Sequence, residues 1–451
     1  MMNLLRKKIL YYAKRPMLKE MAASAVGAGI ARSFGSLIPI VIAWFFGIGG
    51  DTDLFFFAFA IIMFMTSVLS ITMETVSIPF FASIKSDGDD IGAFVGVLFF
   101  IILLATSLLA VFLYFAIQPV LFWLTHFSLQ QIEEIRTLIF FILPVFTFVV
   151  CSSIFVGSLN AQSFYFVPSL STALRSAVVV IAIYFGSKRY GIIALSAAYV
   201  IGEGFRFLLL YWYIVIKRLY VIKMTKNILP QVKHFFNKGS YHIASALLGG
   251  INPLIDKSVA LWVGLGSISV IEYADRLNGL PMMFFSSLLP VLLSRWSKAY
   301  YSDSIIDLRE KVATTIKYIT IPIVIINIIV LCFSEHIVRL VYLHGDFPAD
   351  KVSLVSQTFS AYMIGLWPYL VAQTIIRGYM AMKITKILMT LAVARVFMNI
   401  IFDIVFAKLF GVFGIALSAT LCTSILTAIL AFRYFRKDEF GKSKNAMVTV
   451  V

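Results

Sequence analysis

Long apolar stretches alternate with short polar segments along nearly the whole of this chain. A helix rising 1.5 Å per residue needs about 20 apolar residues to cross roughly 30 Å of hydrocarbon. By that measure the pattern predicts spans near 21–48, 53–82, 92–116, 137–158, 168–186, 191–214, 241–264, 266–294, 316–333, 355–376, 387–408 and 412–432. The second and eighth are longer than a bilayer requires, which predicts tilt or a start in the interface. The expected fold is an all-α polytopic membrane protein of 12 transmembrane helices.

Composition points the same way. Of the 451 residues 61% are apolar and 13% charged, and mean hydropathy is +0.94. An ordinary soluble domain is nearer half apolar and a quarter charged, so too little polar surface remains to coat a water-soluble globule. Three cysteines (Cys151, Cys332, Cys422), each in an apolar run, make neither a disulfide framework nor a metal cluster. The basic, polar segment Met1–Glu20 feeds a long span without a small-residue cleavage site, unlike a removable signal peptide.

The net charge of +16 adds orientation. With the N-terminus inside, 26 of the 38 Lys and Arg residues fall in cytoplasmic segments, 6 in outer segments and 6 within spans. The positive-inside bias therefore predicts cytoplasmic termini. Basic residues gathered in short connectors mark topology rather than a nucleic-acid footprint. The longest polar connector, with Lys217, Arg218, Lys223, Lys226, Lys233 and Lys238, splits the chain into six spans and six. The expected organisation is an N-lobe over 1–216, a cytoplasmic linker over 217–240, and a C-lobe with a short tail over 241–451. Any repeat between lobes that both start inside would be parallel. Ile193-Ala194-Leu195-Ser196-Ala197 and Ile415-Ala416-Leu417-Ser418-Ala419 open the sixth and twelfth spans, and Arg175 and Arg395 lie in the spans just before.

Basic residues inside spans are costly, about 2.5–3.5 kcal/mol at a helix centre, so they usually face a wet cavity or a partner. Arg32 sits between Gly29 and Gly35 with Pro39 beyond; Arg276 follows Asp275 and precedes Pro281, a second expected break. Glu203 and Arg206, three apart on one helical face, read as an ion pair. Asp256 and Lys257 either line a cavity or neutralise each other. Arg175 and Arg395 can snorkel toward the cytoplasm. Asp51 and Asp53 open the second span, where a carboxylate caps a helix. The scattered histidines, Gly47-Ile48-Gly49-Gly50, Asp87-Gly88-Asp89-Asp90 and Glu133-Glu134 match no metal, phosphate-loop, calcium-loop or catalytic pattern. No enzyme, resident metal or cofactor is indicated.

Several strings together resemble the MurJ/MviN family of lipid II flippases, within the multidrug/oligosaccharidyl-lipid/polysaccharide exporter superfamily. They are Ala31-Arg32-Ser33-Phe34-Gly35; Phe46-Gly47 with Asp51-Thr52-Asp53 and the following Leu54 to Phe59; and Gly266-Ser267-Ile268-Ser269 with Tyr273-Ala274-Asp275-Arg276-Leu277 and Leu280-Pro281. His344-Gly345-Asp346-Phe347 and Gly411 to Ala419 complete the set. The resemblance implies two pseudo-symmetric six-helix lobes around a central cationic cavity that opens alternately to each side. It implies that Arg32 and Arg276 hold a substrate pyrophosphate and that Asp53 is needed for activity. With Asp275 and Lys257 these form the candidate substrate-binding set. Arginine suits the task because its fork holds phosphate oxygens bidentately while staying charged. Two further cavity arginines of the family fall at Ile38 and about Thr66, an acidic one at Pro39, and its two extra C-terminal helices have no counterpart.

The expected function is outward flipping of a polyprenyl-pyrophosphate-linked saccharide, lipid II or a related precursor, across the bacterial inner membrane. The expected partners are that glycan lipid and membrane lipids, not nucleic acid, with the chain working as a monomer. Coupling to membrane potential or an ion is open on sequence grounds. The competing readings are an O-antigen, capsule or exopolysaccharide flippase, a multidrug-type cation antiporter, and a membrane glycosyltransferase or ligase. The last would want catalytic residues in sizeable outer loops, and the outer loops are short.

Overall fold

The structure, a computed structural model, describes residues 29, 33–87, 90–124, 127–162, 164–286, 289, 292–293, 296, 305–382, 384 and 386–436. All regular elements among them are helical: α1 (Ser33–Phe46), α2 (Gly50–Asp87), α3 (Ile91–Leu124), α4 (Leu129–Ala161), α5 (Phe166–Tyr190) and α6 (Ile193–Ile216). There follow α7 (Leu229–Gly250), α8 (Asn252–Ala260), α9 (Ser267–Ser286), α10 (Ile305–Tyr342), α11 (Val352–Ile364), α12 (Leu366–Ala381) and α13 (Lys386–Phe435), with short 3-10 turns before α7 and α11. Every expected span is met by helix. Among the described residues eight stretches are long and apolar enough to cross a bilayer, one of them, Ile387–Phe435, long enough to cross twice.

Helix is the answer hydrocarbon imposes, because no water is available there to satisfy a free backbone group. The hydroxyls follow the same logic and donate to the preceding turn: Thr66 to the Ile62 carbonyl (2.6 Å), Thr106 to Ile102 (2.7 Å), Thr374 to Leu370 (2.8 Å). Outside the apolar runs, local chemistry sets the ends. Ser128 accepts from the Gln131 N–H (3.2 Å), and the Gln131 side chain accepts from the Ser128 N–H (3.0 Å), a reciprocal cap that starts α4. Asp51 and Asp53 occupy the first turn of α2, where carboxylates complement the helix dipole.

Two breaks divide expected spans, and a third separates the expected eleventh from the twelfth. The seventh is split at Ile251 between α7 and α8, ahead of Asn252-Pro253, and the tenth at Gly365 between α11 and α12, ahead of Pro368. Proline cannot donate the helical hydrogen bond, so a break one turn upstream costs little. The break expected at Pro281 is absent: α9 runs through it to Ser286. The third break falls inside α13, where Gly411 adopts φ 63°, ψ −142°. Gly191, between α5 and α6, has nearly the same conformation at φ 55°, ψ −143°. This region is open to glycine and strained for other residues. A glycine of this conformation thus precedes both Ile-Ala-Leu-Ser-Ala strings, by two residues in the first and by four in the second.

Contacts divide the chain into two compact units, one of residues up to Leu254 with His344–Phe347, the other of Ile255–Leu343 with Pro348 onward. In the first, α2 packs along α4, α5 pairs with α6, and α7 lies against α2. A Cβ on Gly157 would sit 2.6 Å from Ser77 Cβ, so α2 and α4 approach as closely as small residues allow. His344–Phe347 docks on the end of α1, the Asp346 N–H donating to the Trp44 carbonyl at 2.8 Å. In the second, α11 packs against α9, α10 and α13, and α12 against α10 and α13.

The polar connector is ordered rather than a free linker. Val221 and Lys223 cross the start of α3 so tightly that a Cβ on Gly92 or Gly96 would meet their carbonyl oxygens at 2.0 and 2.1 Å. Tyr220 and Ser158 hydroxyls bond at 2.6 Å, and Lys223 meets Asp90 at 3.2 Å. Desolvation is the largest single influence on Asp90 and raises its carboxyl, but Lys223 and the Gly92 and Ala93 N–H groups together outweigh it and hold the carboxyl below the ordinary value. From Leu229 the chain is helical again as α7.

The charge bias makes a topology prediction. In a background lacking the native cysteines, Lys188→Cys should react with an impermeant thiol reagent in intact cells and Lys217→Cys should not; both positions are exposed. Equal labelling would overturn the inside placement of the termini.

Candidate functional site

In the second unit, α8 is only nine residues long and carries Asp256 beside Lys257. Successive helical residues diverge by about 100°, so the two side chains take different neighbours. Their hydrogen-bonding partners lie on different helices, while Lys257 stays within electrostatic reach of Asp256.

Lys257 turns to α9. Its Nζ lies 2.6 Å from Glu272 Oε2, with both side chains buried. One turn further along α9, Arg276 donates to the other oxygen, Glu272 Oε1, from Nε at 2.7 Å and from a terminal nitrogen at 2.5 Å. The three differ in exposure: 9% for the Lys257 side chain, 7% for Glu272, 49% for Arg276. Asp275 beside Arg276 is also exposed. Packing fixes this face of α9, since the buried Tyr342 hydroxyl of α10 donates to the Tyr273 carbonyl at 3.1 Å. The result is a buried Lys–Glu pair supporting a half-exposed arginine.

Asp256 turns instead to α13. The Asn399 amide donates to Asp256 Oδ1 at 2.6 Å and to Asp403 Oδ2 at 2.8 Å, and Ser418 Oγ donates to Asp403 Oδ1. Asp403 is fully buried and Asn399 nearly so. Among the described residues neither aspartate makes an ion pair, although Arg395 and Lys257 lie within electrostatic reach. Two adjoining carboxyls in an apolar interior call for a compensating positive charge. A shared proton would serve, as would a small hard cation on the oxygens of Asp256, Asn399, Asp403 and Ser418.

The first unit carries a different cluster. Glu203 on α6 meets Arg206 at 3.7 Å, as the sequence spacing indicates, and also Arg175 of α5 at 2.9 Å. Arg175 is therefore engaged by a buried carboxylate. Glu74 of α2 lies within electrostatic reach of Arg206. Asp53 is buried in the first turn of α2, whereas Asp51 is exposed and lines a cleft of about 580 Å³ with Gln130, Glu133, Glu134 and Thr137. Ile38 and Thr66, where the family has arginines, are both buried. Arg32 lies outside the described residues.

Glu272, Asn399 and Asp403 are not among the residues to which the sequence pattern points. The signals were present: Glu272 precedes Arg276 by four and Asn399 precedes Asp403 by four, the spacing of one helical face. An acidic residue inside an apolar run is also a functional candidate by default.

Against this geometry stand the comparisons with known proteins. The family described as "Lipid II flippase MurJ" matches residues 42–451. The chain belongs to the MurJ family. MurJ proteins are transporters, not enzymes, which sets aside the glycosyltransferase reading. The chain is 24% identical over 449 residues to the probable lipid II flippase MurJ of Buchnera aphidicola subsp. Schizaphis graminum, covering 96% of this chain and 86% of that protein. It is 26% identical to the lipid II flippase MurJ of Thermosipho africanus, covering 94% and 88%. A solved lipid II flippase MurJ in an inward closed conformation superposes with a TM-score of 0.78 at 24% identity, covering 91% and 87%. An inward-facing multidrug resistance MATE transporter of the MOP superfamily gives 0.74 at 13%, covering 93% and 98%. The MurJ and MATE folds are thus shared, and the protein is a multi-pass helical membrane protein.

Proposed function

We propose that this protein flips lipid II, the polyprenyl-pyrophosphate-linked peptidoglycan precursor, from the inner to the outer leaflet of the bacterial inner membrane by alternating access. The observation that carries the reading is Arg276, a half-exposed guanidinium in an apolar helix, supported from behind by a buried ion pair. Family membership and the two relatives named for lipid II support the substrate. Arg32, Asp53, Asp275 and Lys257 remain the further candidates of the substrate-binding set, and the chain acts as a monomer with both termini in the cytoplasm.

Two sources of work are available. Each negative charge moved outward gains about 2.3 kcal/mol per 100 mV of inside-negative potential. The Asp256–Asp403 pair offers a second, by taking up a proton or small cation whose release accompanies the conformational cycle. Asp403→Asn should leave the protein inserted, because it removes a like charge and keeps a partner for Ser418. It should abolish the dependence of flipping on pH or sodium in proteoliposomes. An unchanged dependence would remove the pair from the cycle.

The reading is tested by replacing the resident flippase of a depleted strain with this protein. Lipid II reaching the outer leaflet, detected by an externally added lipid II-cleaving enzyme, should be restored. Failure there, with rescue of a capsule-unit export defect instead, would assign it the other glycan lipid.

A further inference from the structure

Arg276 is an unusual substrate contact because it is already engaged. Two of a guanidinium's five N–H donors go to Glu272 Oε1. A carboxylate in that position has two opposed effects on an anion-binding arginine. It fixes the guanidinium plane, which a long, half-exposed side chain otherwise samples among many rotamers. It also cancels the charge that attracts the anion. Lys257 resolves the conflict: its ammonium sits on the second Glu272 oxygen and restores a net positive charge to the trio while itself remaining buried.

We infer that Glu272 and Lys257 are positioning residues for the substrate's pyrophosphate, Glu272 orienting Arg276 and Lys257 supplying the counter-charge that keeps Arg276 attractive to an anion. The inference rests on the reading that Arg276 meets the pyrophosphate. It moves Lys257 from the substrate's contact surface to the support behind it. Within the trio the positive charge is most exposed at Arg276 and least at Lys257, and the exposed Asp275 beside Arg276 makes the counter-charge from Lys257 the more necessary. Placement on two elements adds precision, since Lys257 comes from α8 and the other two from α9. The helix backbone sets the Glu272–Arg276 spacing, and the α8–α9 packing sets the third partner.

The bland alternative is that Glu272 merely neutralises a buried Lys257. The two are separable because the double variant Lys257→Met/Glu272→Met removes one charge of each sign and the acceptor that orients Arg276. It leaves the net charge, and so the long-range attraction for an anion, unchanged. It also orphans no buried ion. Purified full-length protein in nanodiscs is titrated with lipid II and with undecaprenyl pyrophosphate, a glycan-free probe, and its melting temperature is recorded alongside. Loss of two charge-assisted hydrogen bonds at Arg276 should weaken both ligands by about tenfold, with melting near that of the wild type. Wild-type affinity in the double variant, beside loss of binding in Arg276→Ala, would overturn the positioning role and leave the function intact. Wild-type affinity in Arg276→Ala would overturn the functional reading itself. Should the double variant fail to insert, Glu272→Asp decides. It keeps a carboxylate near Lys257 but shortens the reach to Arg276, and should weaken binding in the same way. Unweakened binding in that variant would equally sink the inference.

Discussion

Arg276→Ala is expected to reduce outer-leaflet lipid II to background while the protein remains at normal abundance. The reason for normal abundance is specific to this site. With Arg276 gone, Glu272 still holds Lys257 at 2.6 Å, so no buried charge is left alone. A half-exposed side chain also contributes little packing. Transport should fall because hydrogen bonds to a charged group are worth about 1.5–3 kcal/mol, roughly 10- to 100-fold for the fork. Arg276→Lys keeps the charge and loses the fork, so its loss should be smaller but still clear. The deciding measurement is protein level beside lipid II accessible to an external enzyme. Normal accessibility at normal abundance would take Arg276 out of the transport path.

Glu203→Gln should give the opposite pattern. Glu203 is a buried carboxylate between Arg175 and Arg206, whose side chains are 19% and 14% exposed. Removing its charge strands two arginines within the membrane, and breaking a buried pair typically costs about 3–5 kcal/mol. Changes of even about 1–2 kcal/mol alter cellular abundance several-fold, so this variant should largely disappear from the membrane. Replacing all three by apolar residues of similar size, Arg175→Met/Glu203→Leu/Arg206→Met, should restore abundance, because the buried ions then leave together. A Glu203→Gln protein that accumulates normally but fails to flip would instead give this cluster a part in transport.

The contrast between these clusters shows where sequence reading stops. Arg276 and Arg206 are both arginines inside apolar runs, each with a glutamate on the same helical face. From spacing alone they are equivalent candidates for a pair or for a contact. Each gains a second cation from another helix, and what separates them is exposure. Arg175 and Arg206 around Glu203 are only 19% and 14% exposed, and Glu74 lies within electrostatic reach of Arg206. Lys257 closes around Glu272 and pushes the surplus charge onto Arg276. The Asp256–Asn399 contact spans 143 positions. No local pattern predicts a pairing of that kind, because it depends on which helix faces come together.

The sequence by itself determined the number and place of the spans, the helical class and the charge bias of the connectors. Hydrocarbon thickness fixes how long an apolar run must be, and the absence of water leaves helix as the form each run can take. It also carried the repeated Ile-Ala-Leu-Ser-Ala strings and the family resemblance. Tertiary structure decided the breaks at Ile251 and Gly365 and the continuity through Pro281, since a proline's lost hydrogen bond interrupts a helix only where neighbouring packing permits it. It decided the docking of the connector on α3. It also sorted the intramembrane charges into buried support and exposed contact. An ion's cost in an apolar interior depends on what surrounds it in three dimensions, and one residue type at one spacing can therefore end in either role.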